Sequence, residues 1–124
     1  MEVNLLQLAR LLKILGDETR LSILNLLRVE NLCVCEIEAI LENSQSNVSR
    51  HLAKLRDAGI IYSEKRAQWV YYSIDPEIVK RYPLIKVLLD EEMVKNPEYQ
   101  AELDKLKLFR AQNNTCLISE EINT

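Results

Sequence analysis

The sequence predicts a mainly α-helical domain that carries one small β-hairpin. Three observations lead to this prediction: apolar residues recur at helical spacing through the first 58 residues, residues 60–74 are rich in β-branched and aromatic side chains, and prolines punctuate a second helical region after residue 75. The chain has 124 residues, of which 48% are apolar, which is enough for a single packed core. We therefore expect one domain over residues 1–110 and a polar C-terminal tail over residues 111–124.

Two helices are expected at the start of the chain. Residues 3–15 carry apolar side chains over a face wider than a single stripe, which favours contact with a second chain as well as with the core. Gly16 ends this helix, and Asp17 can cap the next one. The apolar positions of the second helix are Leu21, Ile23, Leu24 and Leu27.

A helix-turn-helix pattern follows over residues 34–58. We expect a short helix over residues 34–41, a three-residue turn, and a longer helix over residues 45–58 that Ser44 caps and Gly59 ends. The apolar positions of the longer helix follow i, i+4, i+7 spacing at Val48, Leu52 and Leu55.

A β-hairpin and further helices complete the predicted fold. Residues 60–66 and 69–74 are expected to pair across a tight turn at Ala67 and Gln68, which lack the glycine common at such turns. A hairpin directly after a helix-turn-helix is a wing, so the sequence predicts a dimeric winged helix-turn-helix. Helices resume at Pro76, with buried positions expected at Leu84, Leu88, Leu103, Leu106 and Phe109.

The distribution of charge favours a nucleic-acid partner, although the net charge of −3 taken alone argues against one. Residues 44–73 contain five basic and two acidic side chains, so the predicted helix-turn-helix and wing are positive while the rest of the chain is negative. An acidic protein with one basic segment has the charge pattern that local DNA contact requires.

The outer face of the helix over residues 45–58 is polar and carries no acidic side chain. Short hydroxyl and amide side chains can approach base edges, and Arg50 can contact guanine through both of its terminal nitrogens. An ordinary solvated helix more often mixes Glu with Lys. His51, the only histidine, is expected either to pack with a hydrogen bond or to contact a phosphate. The expected DNA contacts, including two wing cations, are Gln45, Ser46, Asn47, Ser49, Arg50, His51, Lys54, Lys65 and Arg66.

Four stretches in order carry a resemblance to a known family: LKILGDETRLSILNLL, NLCVCEI, SQSNVSRHLAKLRDAGII and WVYYSI. They are similar to the second helix, the cysteine-bearing third helix, the recognition helix and the wing of the ArsR/SmtB family of metal- and metalloid-responsive repressors, over roughly residues 5–89. The resemblance implies a homodimeric repressor whose first and last helices form the interface. It also implies release from an operator, expected to be an imperfect inverted repeat of double-stranded DNA, when an inducer binds.

The resemblance further implies an inducer site at Cys33 and Cys35, with Glu38 at the position where the arsenic-responsive branch has another cysteine. Trivalent arsenic or antimony is best held by three thiolates, so Cys116, from its own chain or the partner's, is the candidate third ligand. A soft divalent metal is the alternative inducer. Side chains two residues apart point about 200° apart on a regular helix, so binding through both is expected to distort the first turn.

Other interpretations of the cysteines stay open. The alternative hypothesis is a winged-helix regulator without any metal response, whose Cys33 and Cys35 are buried apolar residues or a redox switch. A thiol-dependent arsenic enzyme is disfavoured because no histidine lies near these cysteines in sequence and only two glycines are present for anion-binding loops. A winged-helix interaction module without DNA binding is disfavoured by the acid-free helix face. DNA binding is expected to need no cofactor.

The sequence also predicts the compartment. No run of about 18 uncharged apolar residues is present, and charged side chains interrupt the N-terminal segment. Three cysteines, an odd number, make a poor disulfide framework for a secreted domain. We therefore expect a cytoplasmic protein without a membrane partner.

Overall fold

The computed structural model describes residues 4–112. The predicted mainly helical fold with a helix-turn-helix and a wing is confirmed. In chain order the elements are α1 (Leu5–Leu15), α2 (Glu18–Leu27), β1 (Leu32–Cys33), α3 (Val34–Leu41), α4 (Gln45–Asp57), β2 (Ile61–Arg66), β3 (Trp69–Ile74), α5 (Pro76–Arg81), α6 (Pro83–Val87), a π-helical turn (Leu88–Glu92), α7 (Met93–Lys95) and α8 (Pro97–Ala111).

Side-chain caps determine where the first helices begin. Helix α1 begins at Leu5 rather than at residue 3, because the Asn4 side chain accepts a hydrogen bond from the Gln7 N–H at 2.8 Å. The Gln7 side chain accepts one from the Asn4 N–H at 3.2 Å in return, which completes a capping box. Asp17 and Ser44 cap α2 and α4 in the expected way, each by accepting from a backbone N–H three residues later.

The sheet has three antiparallel strands in the order β1-β3-β2, where only the hairpin was expected. Strand β1 is two residues long, too short to show an alternating pattern in the sequence. Its pairing sets Cys33 opposite Tyr71 of the wing. The segment that leads into the helix-turn-helix is therefore hydrogen-bonded to the hairpin.

The wing turn lies where it was expected. Arg66 pairs with Trp69, so Ala67 and Gln68 form the two-residue connection. Ala67 has a φ of 56°, in the left-handed region that favours glycine. The missing glycine thus leaves an alanine in a strained backbone conformation at the tip of the wing.

The hydrophobic core lies between α2, α3, α4, the sheet and the C-terminal helices, and it includes the fully buried Leu24, Ile37 and Leu52. One expectation for its C-terminal part is wrong: Leu84 is 37% exposed. The buried side of that segment instead follows i, i+4, i+8 spacing at Ile85, Leu89 and Met93. No helix within residues 4–112 is both long enough and apolar enough to cross a membrane.

Helix α8 turns back over α2. Glu102 accepts hydrogen bonds from the Ser22 hydroxyl at 2.6 Å and from the Asn25 side-chain amide at 3.0 Å. The same amide donates to the backbone carbonyl of Tyr99 at 2.9 Å, which satisfies the fully buried Asn25. These contacts hold α8 on the face of α2 through polar groups as well as through the half-buried Leu103 and the buried Leu106.

Candidate nucleic-acid interface and thiol site

Helix α4 presents a polar face to solvent because Val48, Leu52 and Leu55 are each fully buried on its opposite side. Within this helix the side chains placed outward carry hydroxyl, amide and basic groups. Of the expected DNA contacts on α4, five are exposed and Asn47 is half-buried. The exposed ones are Gln45, Ser46, Ser49, Arg50 and Lys54.

A short chain of hydrogen bonds orients Arg50 at the start of α4. The Asn43 side-chain oxygen accepts from the Ser44 N–H at 2.8 Å and from the Asn47 side-chain amide at 3.0 Å. The Asn47 oxygen in turn accepts from the Arg50 guanidinium. These hydrogen bonds connect the turn of the helix-turn-helix to the exposed guanidinium of Arg50. The N-terminus of a helix also favours a nearby phosphate group of a DNA backbone.

His51 does not belong to the exposed face. It is 5% exposed, and its Nδ1 accepts a hydrogen bond from Arg20 Nε at 3.1 Å. Arg20 also donates to the backbone carbonyl of Ile14 at 3.0 Å, so these two side chains and the Ile14 backbone join α1, α2 and α4. Burial lowers the pKa of His51, Asp17 opposes this, and Arg20 lowers it further. Of the two expectations for His51, the packed and hydrogen-bonded histidine matches the structure and the phosphate contact is corrected: the ring joins α4 to α2.

The two wing cations differ in their surroundings. Arg66 pairs with Glu64 at 3.6 Å and lies over the Tyr71 ring at 5.3 Å from its centroid. Lys65 is exposed, and alternation along the strand directs it to the other face of the hairpin. Lys65 is therefore the wing residue better disposed to contact a phosphate.

The sulfur atoms of Cys33 and Cys35 lie side by side, 3.6 Å apart, and Cys35 is disulfide-bonded in this structure. The expectation that they diverge by about 200° is wrong, because Cys33 is the extended N-cap residue of α3 (φ −95°, ψ 170°) rather than a helical one. Two sulfurs at this separation, each about 2.3 Å from a shared centre, subtend roughly 100° there, close to tetrahedral or pyramidal geometry. After reduction of Cys35, the pair can hold one thiophilic centre without distorting the helix.

The two cysteines differ in exposure. Cys33 is 3% exposed, whereas Cys35 is exposed at the surface. Burial and the adjacent Glu36 carboxylate raise the pKa of Cys33 to about 11, so its thiol is protonated at neutral pH. The Glu36 carboxylate also accepts a hydrogen bond from the Cys33 N–H at 3.0 Å, which makes it the second half of the α3 cap.

A buried ion pair supports the thiol site from α8. Glu36 is 1% exposed, and its second oxygen accepts from the Arg110 guanidinium. Arg110 also pairs with Glu30 at 2.6 Å. Sequence reasoning missed these residues: the spacing of Glu36 after Cys33 matches a capping box, but no local pattern indicates Arg110.

The described residues do not complete a metal site. Glu38 is half-buried and borders the same shallow surface depression as Cys35. Within residues 4–112, no group of three or more His, Cys, Asp or Glu side chains is arranged to hold a metal ion. The expected third ligand, Cys116, lies outside the described residues.

The sequence matches a family profile described as bacterial regulatory protein, arsR family, over residues 17–63. The arsenical resistance operon repressor of Escherichia coli (strain K12) is 47% identical over 70 residues, which are 56% of this chain and 60% of that protein. The chain thus spans less than two thirds of that relative's length. The transcriptional activator HlyU of Vibrio cholerae is 42% identical over 80 residues, 64% of this chain and 74% of HlyU.

Solved structures share the fold. HlyU from Vibrio cholerae N16961 has a TM-score of 0.60 and 38% sequence identity, over 73% of this chain and 100% of that one. The homodimeric winged helix-turn-helix DNA-binding domain of Mb0332 from Mycobacterium bovis has a TM-score of 0.59 and 26% identity, over 73% of this chain and 85% of that one. These similar proteins are named as regulators of transcription or as a DNA-binding domain, which agrees with the expectation of a regulator rather than an enzyme.

Proposed function

The chain belongs to the arsR family of bacterial regulatory proteins, and on that premise we propose that it is a homodimeric transcriptional repressor released from its operator by trivalent arsenic or antimony. One observation carries the inducer assignment: the sulfur atoms of Cys33 and Cys35, which become two thiols when Cys35 is reduced, converge, 3.6 Å apart, at the start of the first helix of the helix-turn-helix. The resemblance to an arsenical resistance operon repressor supports repression as the outcome.

The surface of α4 supports DNA binding. Its exposed face offers the Arg50 guanidinium, the Lys54 ammonium and short polar side chains, and Asp57 at the end of the helix is its only acidic group. Arg50 is suited to a bidentate guanine contact and Lys54 to a phosphate. In a dimer, two such helices read half-sites one helical turn apart, roughly 34 Å, which calls for an inverted repeat.

Two exposed apolar patches support the dimer. On α1, Leu5 is 82% exposed and Leu12 is 50% exposed; on α6 and α7, Val87 is 44% exposed and Val94 is 55% exposed. Large side chains exposed at this density are unfavourable in a monomer and are typical of subunit interfaces. The homodimeric Mb0332 domain is consistent with this arrangement.

The protonation of Cys33 favours arsenite over divalent metals. Arsenious acid condenses with thiols: each As–S bond that forms releases an arsenic hydroxyl, which leaves as water with the thiol proton. A divalent cation must instead expel each thiol proton into solution. Because the pKa of Cys33 is raised from 9.0 to about 11, expulsion of its proton is roughly 100-fold less favourable than from an ordinary thiol. The same protonation disfavours a redox switch at Cys33, because the thiolate is the reactive form.

Cys116 is proposed as the third thiolate. It lies six residues beyond Arg110, a separation that an extended chain spans with up to about 20 Å. The Arg110 guanidinium contacts Glu36, and Glu36 contacts the backbone of Cys33, so α8 delivers the chain to the neighbourhood of the thiol pair. The contact supports a site completed within one chain, and a site completed by the partner's tail is the alternative.

The proposal is tested by fluorescence anisotropy of labelled upstream DNA with the reduced full chain, titrated with arsenite, antimonite, cadmium and zinc. We expect release by arsenite and antimonite that Cys33→Ser abolishes and Cys116→Ser weakens. Between pH 6 and 8 the arsenite midpoint is expected to stay nearly constant, while the apparent affinity for cadmium rises by about tenfold or more per pH unit as protons are displaced. DNA binding that responds to no ion would retain the repressor and discard the metalloid sensor.

A further inference from the structure

A cleft between α1, the end of α4 and α5 is not used by the thiol site. Its volume is about 530 Å³, within the range of small-molecule sites. Its apolar wall includes Leu11 and Ile14 of α1, Ala58 just after α4, and Ile78 and Tyr82. The cleft therefore offers an apolar body enough room to be buried.

The rim of this cleft is strongly cationic. Arg10, Lys13, Lys54 and Arg81 border it, against the single acidic side chain of Asp57. All five are exposed, and none of the four cations makes a salt bridge within the described part of the chain. Four unpaired cations around one apolar cleft are notable in a chain whose net charge is −3. Charge complementarity requires an anionic occupant.

The cleft is separate from the apolar patch of α1 that we assign to the dimer. At 100° per residue, Ile14 lies about 180° from Leu5 around the helix, and about 200° from Leu12. Leu5 and Leu12 are exposed to solvent, whereas Ile14 is half-buried against the chain's own core. A partner seated on the exposed leucines would leave the cleft on the opposite side of α1.

We propose that this cleft binds an amphipathic organic anion, such as a medium-chain carboxylate, as a second effector of the repressor. The apolar body lies against Ile14 and Ile78, and the carboxylate lies among the rim cations. Lys54 is shared between this site and the proposed DNA surface of α4. A bound carboxylate therefore competes with a DNA phosphate for the same ammonium group and weakens operator binding without involving the thiols.

The binding step is tested without DNA, by isothermal titration of the reduced full chain with sodium decanoate below its micellar concentration. The controls are decanol and decyltrimethylammonium, which share the chain but not the negative charge. We expect one saturable decanoate site per protein chain, weakened about tenfold by Arg81→Gln, the size of effect typical of one charged hydrogen bond. Lys80→Gln removes an exposed cation of the same helix that pairs with Glu77 outside the cleft, and is expected to leave binding unchanged.

A second variant, Ala58→Leu, fills the cleft and is expected to abolish decanoate binding while the circular dichroism spectrum stays unchanged.

Absence of saturable decanoate binding to the unsubstituted chain, or equal binding of decanol, overturns the proposal. If Arg81→Gln instead lowers the slope of log K against log salt for DNA binding by about one, with no decanoate site, the rim is a DNA contact. If Arg81→Gln shifts the monomer–dimer equilibrium with no decanoate site, the cleft is a subunit interface. The titration is independent of arsenite release, so the two proposals fail separately.

Discussion

Helices α4 and α8 are similar in length, 13 and 15 residues, yet they use their charged side chains in opposite ways. Three long polar side chains of α8 contact other parts of the chain: Glu102 binds α2, Lys105 pairs with Glu42 at 3.1 Å, and Arg110 pairs with two glutamates. No lysine or arginine side chain of α4 forms an ion pair within the described residues; the buried His51 approaches the Asp17 carboxylate at 3.8 Å. Its Arg50 is held only by Asn47 of the same helix.

The comparison separates a charged face that stabilises the fold from one that is available to a partner. A composition count cannot make this distinction, since both helices contain several basic residues. What differs is whether the body of the protein supplies the opposite charges. On α8 it supplies them at both ends of α3, through Glu36 and Glu42. On α4 the opposite charges are left for a polyanion to supply.

The largest expected effect concerns the exposed face. Arg50→Ala is expected to weaken operator binding by about 4 kcal/mol, roughly 1000-fold, because each bidentate guanine contact contributes roughly 2 kcal/mol and a dimer makes two. The free energy of unfolding is expected to stay nearly constant, since the side chain packs against nothing buried. Anisotropy with operator DNA and urea unfolding measure the two quantities. Arg56→Ala is the matched control, an exposed arginine of the same helix outside the expected contacts; equal losses in both variants would contradict the assignment of the reading face.

The second effect concerns α8. Arg110→Met is expected to lower the free energy of unfolding at pH 7 by about 3 kcal/mol, because it leaves the buried Glu36 carboxylate without its guanidinium. Urea unfolding at pH 7 measures this loss. Lys107→Met, an exposed cation of the same helix, controls for charge alone, and a loss of similar size there would refute the buried-pair explanation.

The sequence predicted the parts of the molecule that local patterns specify. Helices α2 and α4 begin where the caps Asp17 and Ser44 predicted, and α4 buries the side that the i, i+4, i+7 apolar spacing of Val48 predicted, because caps and periodicity act over a few residues. The wing turn was equally local. The polar outer face of α4 followed directly from the same periodicity.

The remaining parts depend on contacts between distant residues. Arg110 meets Glu36 across 74 positions of sequence, and Arg20 meets His51 across 31. No periodic or capping signal reports such pairs, so the support of the thiol site and the burial of His51 could not be predicted. The convergence of the thiols was missed for a different reason: the sequence does not reveal that β1 pairing holds Cys33 in an extended conformation before α3 begins.

A third prediction concerns His51 on the buried side of α4. Like the charged side chains of α8 described above, it is hydrogen-bonded to another part of the chain. Burial lowers the pKa of His51 below the unfolded value of about 6.5. On acidification the unfolded chain therefore binds this proton first, so stability is full above pH 6.5 and is lost as the pH falls through the folded pKa. Asp17, Arg20, Arg50 and Lys54 are the charged groups that act on the ring.

Urea unfolding between pH 7.5 and pH 5 tests this dependence. His51→Gln keeps an acceptor for the Arg20 guanidinium but cannot titrate, so the variant is expected to lose this part of the pH dependence. An unchanged pH slope in His51→Gln would assign the dependence to other groups. Asp17, whose pKa is lowered from 3.8 chiefly by the hydrogen bond from the Arg20 N–H, contributes only at still lower pH.

The smallest expected effects come from one substitution, alanine to glycine, made separately in the wing and in α8. They sharpen the contrast between these two regions. Ala67→Gly is expected to raise the free energy of unfolding by about 0.5 kcal/mol, because glycine adopts the left-handed φ of 56° without strain. Relief of this strain contributes roughly 1–2 kcal/mol, and the greater conformational entropy of glycine in the unfolded chain partly offsets it. Ala101→Gly, on the exposed side of α8, is expected to lower it by about 1 kcal/mol, as in any helix interior. Thermal or urea unfolding measures both changes in the free energy of unfolding, and opposite signs for the two variants establish that the strain lies in the wing turn. A loss in both variants would show that the backbone of Ala67 is not strained in solution, and the wing would then present Lys65 from a relaxed turn.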